Sequence, residues 1–141
     1  MSPIDREIVR RKLAVIMESL DLLEPIQRMS KEEYIADIYK RKAAERLLQE
    51  LVEAAIDLNT YLLVQTGRPA PSDYFESFIK AGEYHIIPSE LAEKLAPSAG
   101  LRNRLVHEYD LLEHALVLEA VRLTEELYPL YISKIESYIA S

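Results

Sequence analysis

Residues 102–109 contain the side chains of this chain that are best suited to chemistry, in the order Arg-Asn-Arg-Leu-Val-His-Glu-Tyr. Arginine binds phosphate groups through a planar fork of N–H donors. Histidine is the side chain whose ordinary pKa allows it to give and take protons near neutral pH. The pair Arg102 and His107 could therefore cleave a phosphodiester without a metal ion.

A second interpretation of these residues is purely structural. Arg102 and Arg104 could be ordinary surface charges, Leu105 and Val106 core residues, and His107 a polar residue near a helix end. An arginine and a histidine five positions apart are, by themselves, a weak signal in a helical protein.

The spacing of the motif predicts where its helix ends. On a regular helix Arg102 and His107 lie on different faces, because residues three or four apart are the ones that align. They can meet only if the arginine reaches around, if the helix ends or distorts near His107, or if a second subunit supplies one of them. His107 and Tyr109 share a face only where the backbone is extended or turning. We therefore expect a helix boundary near His107, with Asp110 as the cap of the next helix.

The composition predicts one helix-rich domain, residues 1–141, with a full hydrophobic core. Apolar residues make up 49% of the chain, glycine occurs 3 times and cysteine is absent. The lack of cysteine excludes disulfides and thiolate zinc sites and is typical of the cytoplasm. We expect a soluble cytoplasmic protein, because no apolar run could cross a membrane and the first residues do not resemble a signal peptide. The net charge of −7 argues against a large non-specific duplex-binding surface, so any contact with nucleic acid must be local.

Start and stop signals predict the first helices. Ser2 and Pro3 are placed to cap and begin a first helix, which Pro25 kinks or ends. Ser30 and Glu33 form a capping-box pattern. From there nothing breaks a helix for more than thirty residues, so we expect a short helix that runs into a long one.

Glycine and serine predict the remaining boundaries. Gly67 is placed to end the long helix, Gly82 to stop a short helix that starts at residues 72–73, and Ser89 to cap the next one. A last helix is predicted from Asp110 to the region of Ile139. No segment alternates polar and apolar residues as a strand does. The sequence therefore predicts an all-α fold, a single antiparallel bundle of four to six helices.

Residues 102–109 resemble the Arg-x4-His-x-Tyr motif of HepT-like toxins, which belong to the HEPN superfamily of nucleases. The resemblance extends to the chain length, to the all-helical order and to the charged and apolar helix of residues 44–50 and 53–58. It implies a metal-independent ribonuclease without a cofactor, acting as the toxin of a type VII toxin–antitoxin pair. It also implies a homodimer whose two motifs face each other across a cleft.

The resemblance further implies a protein partner. In this family an antitoxin of the minimal nucleotidyltransferase type, MntA, transfers AMP from ATP to the motif tyrosine, here Tyr109, and so silences the nuclease. An anionic group at that position would repel and block an RNA chain. One alternative is a non-catalytic HEPN module that only supports such a nucleotidyltransferase. Another is a plain helical oligomerisation domain, in which the motif occurs by chance.

Each motif residue then has an expected role. His107 exchanges a proton with the RNA 2′-hydroxyl or with the leaving oxygen, and a second His107 across the dimer plays the complementary part. Arg102 holds the phosphate, and Asn103 orients either the phosphate or the histidine. Arg104 is a supporting cation that points away from Arg102, and Tyr109 positions the RNA by stacking or a hydrogen bond.

Other polar residues are interpreted mainly as structural. His114 is expected at the surface or in an interface, and its spacing from His107 does not fit a zinc motif, so no metal site is expected. Glu45 and Asp57 could contact the motif arginines or be exposed. Two basic clusters are expected to be solvated helix faces, the second with more weight as an RNA contact because its helix should pack beside the motif. They are Arg6, Arg10, Arg11 and Lys12, and then Arg41, Lys42 and Arg46. Three tyrosines of the last helix are expected in the core or in a dimer contact: Tyr128, Tyr131 and Tyr138.

Overall fold

The computed structural model describes residues 3–141 and contains no strand in that range. Its helices follow in chain order as α1 (Arg6–Gln27), α2 (Lys31–Ala36), α3 (Ile38–Gln65), α4 (Tyr74–Glu83), α5 (Ser89–Leu95), α6 (Ser98–His107) and α7 (His114–Ala140). A short 3-10 turn, Tyr109–Leu111, separates α6 from α7. The predicted all-α helical fold is confirmed. Five helices have ten or more residues, and α2 and α5 are shorter additions.

The long helices α1, α3 and α7 pack on one another, and α6 lies against α3. Helix α4 packs on α3, α5 and α6. One hydrophobic core joins these elements, and Val9, Leu48 and Ile135 are among its fully buried members. This arrangement places the helix that carries the motif directly on the longest helix of the bundle.

Two buried tyrosines of α7 attach this helix to its neighbours. Tyr131 donates from its hydroxyl to Asn59 Oδ1 on α3 at 2.6 Å, and Tyr128 donates to Ser98 Oγ at 3.0 Å. Burial raises the pKa of both phenols above the ordinary value, so both remain protonated donors. Because Ser98 begins α6, these bonds set α6 relative to α3 and α7. Tyr138 is only partly buried and packs against the edge of the same core.

The capping box and the glycine stop are confirmed. The Glu33 N–H donates to Ser30 Oγ at 3.1 Å, and the Ser30 N–H donates to Glu33 Oε1 at 2.9 Å. Gly67 follows the end of α3 with φ of 89°, a left-handed conformation that favours glycine. These signals were readable because each depends on residues within one helical turn.

The predicted start of α1 is wrong for the part that lies within the described residues. Ser2 lies outside the described residues, and Pro3 precedes the helix. The cap is Asp5, whose carboxylate accepts the Glu7 N–H at 2.9 Å. Pro25 lies inside α1 and does not end it.

Three further boundary predictions are also wrong. Gly82 does not stop α4 but lies inside it, where a Cβ atom would come within 2.6 Å of Ala92 Cβ; its role is close packing against α5. Ser89 is the first residue of α5, and its hydroxyl donates to the Gly82 carbonyl instead of capping. Asp110 lies in the 3-10 turn, and α7 begins only at His114.

Candidate functional site

Helix α6 carries the motif and ends at His107, as the spacing predicts. The Glu108 N–H closes the helix by donating to the Arg104 carbonyl at 3.0 Å, and Glu108 itself has left the helical conformation with φ of −132°. The 3-10 turn that follows begins with Tyr109. His107 and Tyr109 are therefore both exposed, on either side of a helix end.

Arg102 is held in place by contacts to three different residues. Its Nε donates to Glu53 Oε2 on α3 at 2.9 Å, and its Nη1 donates to Asn103 Oδ1 at 3.4 Å. The guanidinium also lies over the ring of Tyr74 on α4, 5.0 Å from the ring centroid. The side chain is 17% exposed, so the arginine is oriented and still has donors available at the surface.

Glu53 is the acidic partner that sequence reasoning did not identify. It also accepts from Gln49 Nε2 at 3.3 Å, which orients its carboxylate. The only available signal is an acid within the otherwise apolar run around it on α3. Of the two acids considered for this role, Glu45 pairs with Lys42 at 3.8 Å and Asp57 pairs with Lys12 at 2.9 Å.

Arg102 and His107 lie on different sides of α6. The helix is continuous between them, so a five-residue offset separates the two side chains by about 140° around its axis. Arg102 is turned toward α3 and α4, whereas His107 is exposed. Within residues 3–141 the structure shows neither an arginine reaching around the helix nor a break between the two positions.

Tyr109 has a basic neighbour on α3. Tyr109 is 56% exposed, and Lys42 Nζ lies 4.5 Å from the centroid of its ring. This distance is in the range of a cation–π contact. The expectation that the second basic cluster lies on a helix beside the motif is confirmed.

Arg104 faces a different part of the surface from Arg102, as predicted. It lines an apolar groove of about 390 Å³ between α6 and α7, together with Leu101, Leu112 and Leu116. Its Nη1 lies 3.4 Å from the position that a Cβ on Gly100 would occupy. The motif therefore presents one cation toward α3 and another toward this groove.

The exposed side of α7 continues this groove as a stripe of leucines. Leu116, Leu123 and Leu130 follow one another at intervals of seven residues, and each is at least half exposed. A seven-residue interval keeps side chains on one face of a helix. Leu111, which lines the groove as well, is 72% exposed.

His114 is more buried than expected, and it contacts Arg41. The Arg41 Nη1 to His114 Nε2 distance is 2.8 Å. A guanidinium can only donate, so His114 Nε2 accepts and its proton lies on Nδ1. This contact joins the start of α7 to α3, close to the turn that carries Tyr109. Most of the first basic cluster is solvated as expected, and Arg10 pairs with Glu7 on an exposed helix face. Lys12 differs, because it is partly buried and pairs with Asp57 of α3.

No group of three or more His, Asp or Glu side chains within residues 3–141 is arranged to hold a metal ion. A membrane span needs a long, continuous apolar helix, and none of the helices described between residues 3 and 141 meets that requirement.

Similar solved structures support the helical arrangement. The chain of the Shewanella oneidensis HEPN toxin, solved in tri-AMPylated form in complex with an MNT antitoxin, is 24% identical, with a TM-score of 0.83 over 92% of this chain and 97% of that one. The cytosolic protein YutE of Bacillus subtilis, of unknown function, is 16% identical, with a TM-score of 0.86 over 99% of this chain and 93% of that one. At these identities the likeness shows the fold alone.

Sequence comparison shows the family. A family model described as Ribonuclease HepT-like matches residues 4–135. The tRNA nuclease HepT of Aphanizomenon flos-aquae is 39% identical over 139 residues, which cover 99% of this chain and 95% of the relative. The resemblance drawn from the motif and the enzyme class inferred from it are confirmed, and the chain belongs to the HepT-like ribonuclease family.

Proposed function

We propose that this chain is the ribonuclease toxin of a toxin–antitoxin pair and that it cleaves RNA at a metal-independent site containing Arg102, Asn103 and His107. The observation that carries the proposal is the pair of side chains on α6. Arg102 is held by a 2.9 Å hydrogen bond to Glu53 of α3, and His107, at the end of α6, is exposed. The relative named as a tRNA nuclease makes tRNA the first substrate to test. We further propose that residues 1–141 form one HepT-like domain acting in the cytoplasm, where its RNA substrate is found.

The proposed reaction is an internal transesterification of RNA. His107 takes the proton of a 2′-hydroxyl, the 2′-oxygen bonds to the adjacent phosphorus, and the bond from phosphorus to the 5′-oxygen breaks. The His107 of a second protomer gives its proton to that leaving oxygen. Positioned proton transfers of this kind each contribute about 10²–10⁴-fold to a rate.

Arg102 stabilises the charge that builds on the phosphate oxygens. Guanidinium has five N–H donors, of which the bond to Glu53 uses the Nε–H and the bond to Asn103 uses one Nη1–H. The remaining donors are oriented before the substrate arrives, which is the condition under which a cation stabilises a transition state most. Asn103, exposed and in contact with Arg102, is placed to orient the same phosphate.

The proposed active form is a homodimer that pairs through α7 and the groove beside α6. Three leucines on one face of α7 are about half exposed to solvent in the single chain, although burying the exposed half of each would contribute about 0.8–1.5 kcal/mol. The groove is lined by Arg104 and Glu108 of the motif segment. A second chain on this surface would lie beside the motif and bring a second His107 toward it.

A heterodimer of the parent chain with His107→Ala tests the shared site. The Arg102→Ala and His107→Ala homodimers are each expected to lose tRNA cleavage. In the co-expressed heterodimer only one His107 remains, so no site has both proton-transfer groups, and cleavage is expected to fall far below half of the parent rate. Two different affinity tags would isolate the heterodimer for the measurement. A pure heterodimer that keeps about half of the parent rate would show that each site is contained in one chain.

We propose that an MntA-type nucleotidyltransferase is the antitoxin and that it transfers AMP to Tyr109. The phenol is exposed at the end of the motif helix, where a bulky anion would obstruct the approach of RNA. Incubation with such an enzyme and ATP is expected to add AMP to Tyr109, as mapped by peptide mass spectrometry, and to stop cleavage. Tyr84 is also exposed but lies outside the motif, so the variant Tyr84→Phe provides a matched control. An adduct confined to another tyrosine would refute this assignment.

A further inference from the structure

The start of α3 presents an aromatic and a cationic side chain toward the end of the motif. Lys42 lies over the Tyr109 ring at 4.5 Å, and its own side chain is half exposed. Tyr39 precedes Lys42 by three residues, so both lie on the same side of α3. Tyr39 is 85% exposed. Two exposed aromatic rings therefore stand beside one lysine.

The lysine is available to a ligand because its pairing within the chain is weak. Its acidic neighbour Glu45 is 3.8 Å away, at the limit of an ion pair, and because the lysine itself is half exposed, solvent screens the pair and it contributes little. Arg41, the adjacent cation, is already in contact with His114, and Arg46 pairs with Glu50 at 3.5 Å. Lys42 is thus the cation of this cluster that faces the motif tyrosine.

We propose that Tyr39, Lys42 and Tyr109 form a nucleotide-binding surface in which Lys42 binds the phosphate of a nucleotide held at Tyr109. A base can stack on an exposed tyrosine ring, and a lysine provides a compact charge for the phosphate. This phosphate could belong to an RNA strand that lies on Tyr109 or to AMP bonded to the Tyr109 hydroxyl. Both present a phosphate anion to Lys42. The inference rests on the proposed function and assigns its substrate-binding surface.

The first arm of the test measures RNA binding without cleavage. In a His107→Ala background, we expect Lys42→Gln to raise the Kd for a fluorescent single-stranded oligoribonucleotide about 5- to 10-fold. Removal of one phosphate contact should also reduce the slope of log Kd against log salt by about 0.7. A lysine that only supported the fold would not change this slope.

The matched control is Lys80→Gln on α4. Lys80 is also a partly exposed lysine paired with a glutamate three residues later, Glu83 at 3.0 Å. Both variants remove one positive charge. We expect Lys80→Gln to leave Kd and slope unchanged, and Lys42→Arg to retain most of the binding. An equal change in the two glutamine variants would mean that only net charge matters, and would overturn the proposal.

The second arm measures the initial rate of AMP transfer to Tyr109 by an MntA-type enzyme in the Lys42→Gln variant. A change in RNA binding alone identifies the strand as the ligand, and a slower transfer alone identifies the bonded nucleotide. No change in either arm overturns the role of Lys42. Failure of the parent protein to bind RNA and to accept AMP would instead overturn the proposed function, so the two failures are distinguishable.

Discussion

Replacing His107 with alanine removes both proton-transfer groups of the proposed dimer, so the rate of tRNA cleavage is expected to fall by at least about 10²–10⁴-fold, the contribution of one positioned acid–base group. The side chain is exposed at the last residue of α6, so its loss leaves no buried cavity. The melting temperature should therefore stay close to that of the parent. Single-turnover cleavage of a labelled tRNA, together with thermal unfolding, measures both quantities.

His85 provides the control for this substitution. It is also exposed, but it lies in the loop after α4 with a left-handed φ of 59°. Asparagine tolerates this conformation, so His85→Asn should leave cleavage unchanged, whereas His107→Asn should lose it. A folded His107→Ala protein that cleaves tRNA at the parent rate would remove histidine from the mechanism.

Introducing a charge into the leucine stripe, as Leu123→Glu, is expected to convert the dimer to a monomer and to abolish cleavage. The substitution removes the middle of three leucines spaced by seven residues and would bury a carboxylate without a partner. If the site is shared between chains, loss of the dimer removes the second His107, so activity falls with assembly. Sedimentation velocity gives the mass, and the same tRNA assay gives the rate.

Leu22→Glu on α1 is the matched variant for this experiment. Leu22 is 53% exposed and Leu123 is 50% exposed, but Leu22 lies outside the α7 stripe. The Leu22→Glu variant should remain dimeric and active. A parent protein that sediments as a monomer while cleaving tRNA would contradict the proposed assembly, as would a dimeric and fully active Leu123→Glu variant.

Short-range chemistry in the sequence predicted much of the helix order. Ser30 and Glu33 predicted a capping box because its two hydrogen bonds join residues three apart. Gly67 predicted the end of α3 because a left-handed residue is needed there. The five-residue offset between Arg102 and His107 predicted that a regular helix would place them on different faces. At Gly82 and Asp110, packing between helices and the 3-10 turn override the local preference.

The sequence by itself thus determined the helical class, the family motif and the end of the motif helix, since these depend on contacts between near neighbours or on residue types. Only the tertiary structure decided which side chains support the motif. Glu53 meets Arg102 across 49 positions of the chain, and Lys42 reaches Tyr109 because α3 lies beside α6 and the turn after it. Such pairings are set by how buried faces pack between helices, and a carboxylate or an ammonium group looks the same in the sequence whether or not it meets a partner there.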